Sequence, residues 1–170
     1  MIQVFPDGRL VFDGRTYDCA LGRSGIIDAA DKREGDGATP TGIYPIRSVW
    51  FRPDRITLPP VNFHTHEITR TDGWCDDPAH PDYNRHVTLP FNASHEMLWR
   101  EDHRYDIIVV LEYNDDPAVP GMGSCIFWHV AQDNYAPTAG CVAMAADNLL
   151  AILPQLPDGA VMEIRRVVIR

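Results

Sequence analysis

Positive charge is the first thing this sequence is short of. Fifteen Lys and Arg stand against 24 Asp and Glu, a net charge of −9. That excludes nonspecific nucleic-acid binding, which needs a basic face to displace phosphate counterions. Lysine is almost absent: Lys32 is the only one, so the cationic groups are nearly all planar guanidinium forks suited to carboxylates. No apolar run approaches the roughly 18 residues of a membrane span. The opening Met1–Leu10 segment lacks the basic-then-apolar order of a secretory leader. The four cysteines (Cys19, Cys75, Cys125, Cys141) show no C-x-x-C spacing, which argues against a zinc knuckle. Internal repeats and low-complexity tracts are missing too. With 170 residues, 45% of them hydrophobic, the chain reads as a single domain over 1–170. A monomer is expected, although no residue pattern fixes the oligomeric state.

What the chain does have is concentrated between Ser124 and Met144. An apolar run ends at His129, and Gly140-Cys141 leads into Val142. Fully extended, the intervening residues would hold His129 and Cys141 roughly 40 Å apart. Asn134, Pro137 and Gly140 let the chain double back and make the two strand ends neighbours. Such a Cys–His pair serves nucleophilic acyl transfer: a free thiol is mostly protonated at neutral pH, and an adjacent imidazole takes its proton. Gly140, without a Cβ, lets a carbonyl approach, and the N–H groups of Gly140 and Cys141 become oxyanion donors. The same residues also read as a small core cysteine and an ordinary hydrogen-bonded histidine.

Thr138-Ala139-Gly140-Cys141-Val142, with His129 upstream at the end of a hydrophobic strand, resembles the signature of the L,D-transpeptidases (YkuD-type catalytic domain). A second stretch, Gly35-Asp36-Gly37-Ala38-Thr39-Pro40-Thr41-Gly42, resembles the G-D-x-x-T-P-x-G segment of that family. Val130, Ala139 and Ala143 depart from the usual glycine, histidine and Arg or Asn, and the spacer is short. The resemblance covers roughly residues 20–165. It implies a mainly β fold, a two-sheet β-sandwich with two short helices. It also implies a Cys141 nucleophile, a His129 base oriented by a backbone carbonyl, and a backbone oxyanion site at Gly140. Donor and acceptor peptidoglycan stem peptides are the implied partners, with no metal or organic cofactor. Acylation by carbapenems and work in the periplasm or cell envelope follow from the same resemblance. The donor bond lies after L-alanine or after diaminopimelate. An L,D-carboxypeptidase or endopeptidase, or a non-catalytic wall-binding module, are the alternatives. A papain-like protease fits poorly, because there the cysteine precedes the histidine.

Pattern reading along the chain gives an opening hairpin, Ile2–Phe5 with Arg9–Phe12, then strands over Thr16–Gly22 and Gly42–Trp50. The region from Phe51 to Arg104 carries six prolines and no clear strands. Ala93–Arg100 is predicted as a short helix presenting Met97 and Leu98 to the core. Tyr105–Glu112, apolar on both faces, is predicted as a central strand. Ser124–Ala131 follows, with Cys125 about 13 Å from His129 and therefore a packing residue. Ala146–Leu153 is predicted as an amphipathic helix ended by Pro154, and Ala160–Ile169 as the closing strand. Arg47, Arg52 and Arg55 cluster near the second motif; Arg52 and Arg55 are candidate carboxylate-binding residues, although a salt-bridged loop explains them as well. The long Thr71–His86 connection supplies Trp74, Asp76, Tyr83 and Asn84 as a candidate substrate wall. Thr138 is a candidate for fixing the turn before Cys141. His64 and His66 are predicted to be surface histidines, with no metal.

Overall fold

Alternation of apolar and polar residues around Pro6-Asp7-Gly8 produces the first hairpin of the computed structural model, which describes residues 1–166. Strands β1 (Ile2–Val4) and β2 (Arg9–Phe12) pair antiparallel, with Ile2, Val4, Leu10 and Phe12 turned inward. Gly8 closes the turn at φ +80°, a left-handed conformation that glycine adopts without steric cost. β3 (Arg15–Asp18) continues the meander, shorter than the pattern suggested. β4 (Ile26–Ile27) and β5 (Thr39–Pro40) form a small parallel pair, and β6 (Gly42–Phe51) is the long strand of the fold. On β6, Tyr44, Ile46 and Ser48 are buried, whereas Ile43 and Arg47 are exposed, as alternation requires.

The proline-rich middle contains four strands: β7 (His64–Glu67), β8 (Asp72–Cys75), β9 (His86–Thr88) and β10 (His95–Met97). The predicted Ala93–Arg100 helix is not there. β10 instead pairs with β8, and the Leu98 N–H continues toward the Asp72 carbonyl, burying Leu98 but leaving Met97 exposed. A ladder against β8 satisfies backbone groups that a single isolated helical turn leaves open. β11 (Ile107–Leu111) is buried along its whole length and lies between β6 and β12 (Phe127–Val130). β13 (Val142–Met144) runs parallel to β12, α1 (Ala146–Ile152) follows, and β14 (Val161–Ile164) inserts between β6 and β1. The α-helix stops at Ile152. A 3-10 turn, Leu153–Gln155, absorbs Pro154 near its start, where the missing N–H is not needed. The last part of the predicted closing strand, beyond 166, lies outside the described residues.

The mainly β expectation holds, but the hydrogen bonds do not divide the strands into two equal sheets. Nine strands form one mixed sheet in the order β13-β12-β11-β6-β14-β1-β2-β3, with β7 branching from β6. Ala20 and Ala143 exchange hydrogen bonds of 2.7 and 2.9 Å, so the chain leaving β3 meets β13 and the sheet nearly closes on itself. Its interior holds one apolar core, including Ile2, Leu10, Val109, Trp128, Met144 and Leu149. The outer face of β11 and β12 carries a second layer in which Trp50, Trp74, Ile108 and Phe127 pack under the small β10-β8-β9 sheet. Cys141 belongs to that second layer. The site therefore stands where the two layers meet.

Candidate active site

β12 and β13 bring the two motif residues together. His129 pairs opposite Ala143, so Cys141 sits two residues earlier on the neighbouring parallel strand line. Trp128, Val130, Val142 and Met144 face the interior core, which puts His129 and Cys141 on the other face. Diagonal neighbours of this kind lie about 8 Å apart at Cα. Both side chains line one cavity of about 640 Å³.

Each member of the pair is held by backbone. The His129 Nδ1 lies 2.9 Å from the Val130 carbonyl. A carbonyl only accepts, so Nδ1 carries the proton and Nε2 keeps its lone pair. The Tyr105 ring stands edge-on to the imidazole, with centroids 5.3 Å apart. The Cys141 thiol donates to the Cys125 carbonyl at 3.0 Å, while the Phe127 N–H points at the sulfur from 3.4 Å. Burial dominates the ionisation of both: it pushes the Cys141 thiol up to about 12 and, for His129, pulls the imidazole down to about 4. At rest the cavity wall carries a neutral thiol and a neutral imidazole.

The turn before the sulfur is tightly specified. Thr138 Oγ1 donates to the Cys141 carbonyl at 2.7 Å and accepts from the Gly140 N–H at 3.1 Å. Gly140 has φ +145°, and a Cβ there would come within 2.9 Å of the Ala38 carbonyl oxygen. Ala38 belongs to the second sequence motif, so the two motifs meet at this contact. That motif is self-supporting: Asp36 accepts from the Ala38 and Arg33 N–H groups at 2.8 Å and pairs with the buried Lys32 ammonium. Burial raises the Asp36 carboxyl, but the Lys32 ammonium and the two backbone N–H donors together outweigh it and hold the group below its usual range. Thr39 Oγ1 ties the segment to the Gly22 N–H at 2.9 Å.

Cys125 departs from its expected place. It precedes β12 rather than lying on it, has φ +55°, and lines the same cavity as Cys141. The positive φ turns its carbonyl onto the thiol, which a strand reading could not show. All four cysteines are free.

Trp74, Tyr83 and Asn84 brace this turn instead of lining the cavity. Asn84 Oδ1 accepts from the Cys125 N–H at 3.0 Å and from Trp74 Nε1 at 3.1 Å. Asn84 Nδ2 donates to the Tyr113 and Asn114 carbonyls. Tyr83 donates to Glu34 and accepts from the Gly123 N–H. Asp76, partly buried, is not among the cavity-lining residues either. Arg52 and Arg55 are not brought to the cavity. Arg52 is buried, forks onto Asp54 and lies 3.5 Å over the Trp99 ring; Arg55 pairs with Asp106 at 2.8 Å. Near acidic partners, these guanidinium groups serve the structure.

Cavity residues outside the sequence motifs include Glu96, Tyr105, Arg100, Arg104, Lys32 and Glu34. Lys32 and Glu34 lie just before the second motif, whereas Glu96 stands on β10 and Arg100, Arg104 and Tyr105 on the loop that precedes β11; no spacing signal marks any of them. His66, expected at the surface, is half-buried: it stacks on Trp50 at 3.9 Å and, with His86, clasps the buried Asp72.

The family model for the L,D-transpeptidase catalytic domain (YkuD) matches residues 1–169. No curated protein matches the chain. This family comprises cysteine-dependent enzymes acting on peptidoglycan. With essentially its whole length matched, the chain belongs to the YkuD family of L,D-transpeptidase catalytic domains.

Proposed function

We propose that this protein is a peptidoglycan L,D-transpeptidase that crosslinks stem peptides through a thioester on Cys141. The supporting observation is the placement of His129 and Cys141 on one face of adjacent parallel strands, at the wall of one cavity. Because thiol and imidazole rest neutral, the proton moves to His129 Nε2 as the sulfur attacks, with no preformed ion pair. The thiol first leaves the Cys125 carbonyl to face the donor carbonyl. The Gly140 N–H already serves Thr138, so the Cys141 N–H is the principal backbone donor to the developing oxyanion. The expected two-donor arrangement thus reduces to one backbone donor in the resting turn.

His129 then protonates the departing amine, which leaves a thioester. The side-chain amine of a diaminopimelate on a second stem attacks that carbonyl, the C–S bond breaks, and the thiol is regenerated. The donor bond lies after L-alanine or after diaminopimelate, and the site is in the cell envelope. No cofactor takes part in these steps, and carbapenems acylate the same sulfur.

Mass spectrometry of the products from purified muropeptides tests this reading. Crosslinked dimers are expected. Shortened stems or cleaved dimers alone would instead assign a carboxypeptidase or endopeptidase, since only the acceptor separates the two outcomes.

A further inference from the structure

A transpeptidase must recognise its second substrate, an amine that arrives as an ammonium ion and must lose a proton before it attacks. Two carboxylates line the cavity, Glu34 and Glu96. Glu34 spends Oε2 on two hydroxyl donors, Tyr83 and Ser124, and anchors the wall. Glu34 Oε1, like Glu96 Oε1, has no partner among the described residues; what sets Glu96 apart is its link through Tyr105 to His129. Glu96 sits on β10, the edge strand of the small sheet, and Tyr105 donates to its Oε2. Its Oε1 takes no hydrogen bond among the described residues. The same Tyr105 ring packs against His129, so Glu96 is one residue removed from the proposed base.

Arg100 completes the wall. Its guanidinium stands 5.4 Å over the Tyr105 ring, and Nε and Nη2 are held by Asp102, which leaves Nη1 without a partner among the described residues. An open carboxylate oxygen and an open guanidinium nitrogen, held to one tyrosine, match an amine and a carboxylate borne on one carbon. That is the head group of a free amino acid. A simple alkylamine presents only half of it.

Resting on the transpeptidase reading, we infer that Glu96, with Arg100, forms the acceptor subsite, binding the ammonium and carboxylate of an amino-acid head group and taking the amine's first proton. One ammonium proton passes to Glu96 Oε1. The neutral nitrogen attacks the thioester carbonyl, the C–N bond forms and the C–S bond breaks. A second proton passes through His129 to the leaving sulfur, the third remains on the amide nitrogen, and Glu96 releases its proton to solvent. Burial pushes the Glu96 carboxyl up from its ordinary range, which suits a proton acceptor.

The test uses the intact chain with a disaccharide-tetrapeptide donor and two acceptors, diaminopimelate and 1,5-diaminopentane, which lacks the carboxylates. Glu96→Gln keeps an oxygen for Tyr105 but removes the charge. It is expected to raise the acceptor KM roughly 10- to 100-fold, the worth of a charge-assisted hydrogen bond, and to divert thioester to hydrolysis. Carbapenem acylation of the same sample is expected to fall far less. Glu96→Asp restores part of the transfer. Arg100→Gln raises the KM for diaminopimelate and leaves that for diaminopentane nearly as it was. An unchanged acceptor KM, or acylation lost in step with transfer, overturns the inference. Wild type that forms no acyl-enzyme overturns the transpeptidase reading itself, a distinct result.

Discussion

Replacing His129 with Gln is expected to slow acylation of Cys141 by about 10²- to 10⁴-fold, the usual contribution of a positioned general base. The magnitude follows from the resting electrostatics. With the thiol pushed up to about 12, almost no thiolate is present at neutral pH, and the sulfur depends on a partner for its proton. Burial also fixes the pH dependence. His129 is pulled down to about 4, so it is neutral and competent through the neutral range, and acylation falls only as the pH drops through about 4. A bell with an acidic limb near 6.5 would contradict this. Stability moves in the same direction. In the unfolded chain the imidazole regains its ordinary value of about 6.5 and binds a proton that the buried ring refuses. The contribution of His129 is therefore complete above 6.5 and lost as the pH falls toward 4, a change on the order of 3 kcal/mol. Stopped-flow acylation and urea unfolding from about pH 3 to pH 8, with wild type and His129→Gln in parallel, check both limbs.

Gly140→Ala is expected to cost stability and activity together. At φ +145° an L side chain is strained, and the added Cβ would lie 2.9 Å from the Ala38 carbonyl and 3.2 Å from Ile126 Cδ1. The first contact is with backbone, so the turn or the Ala38 loop must move. Strain of this kind costs about 1–3 kcal/mol, and the clash adds to it. Because Thr138 ties Gly140 to the Cys141 carbonyl, the displacement reaches the sulfur, and acylation should fall at least about tenfold. Urea unfolding combined with acylation rates decides it. A variant as stable and as fast as wild type would show that the contact between the two motifs is not needed.

Much of this was legible in the residues. Ile2–Phe12, Gly42–Phe51 and Ile107–Leu111 announce themselves by alternation or by continuous apolarity, and Leu149, Ile152 and Leu153 by helical spacing. The proline-rich middle is opaque for a physical reason: β7 reads His-Thr-His-Glu and is largely exposed, and β10 reads His-Glu-Met, so neither carries a hydrophobic period. Partners distant in sequence make them strands. The same holds at the site. His129, Gly140 and Cys141 are adjacent to recognisable turns, whereas Glu96 and Tyr105 reach the cavity through tertiary pairing. The reversal at Cys125 depends on a positive φ fixed by Asn84, 41 residues away. For Arg52 and Arg55 the sequence left substrate binding and a salt-bridged loop both open, because spacing alone does not assign Asp54 and Asp106 to them; the ion pairs decide for the loop.

Intact-mass analysis of wild type and Cys141→Ala after incubation with a carbapenem, followed by both proteins on purified muropeptides, tests the central claim most directly. One covalent adduct on the wild type, none on Cys141→Ala, and parallel loss of crosslinked dimers is the predicted result. An adduct that survives in folded Cys141→Ala, or dimer formation that persists without the sulfur, would contradict it.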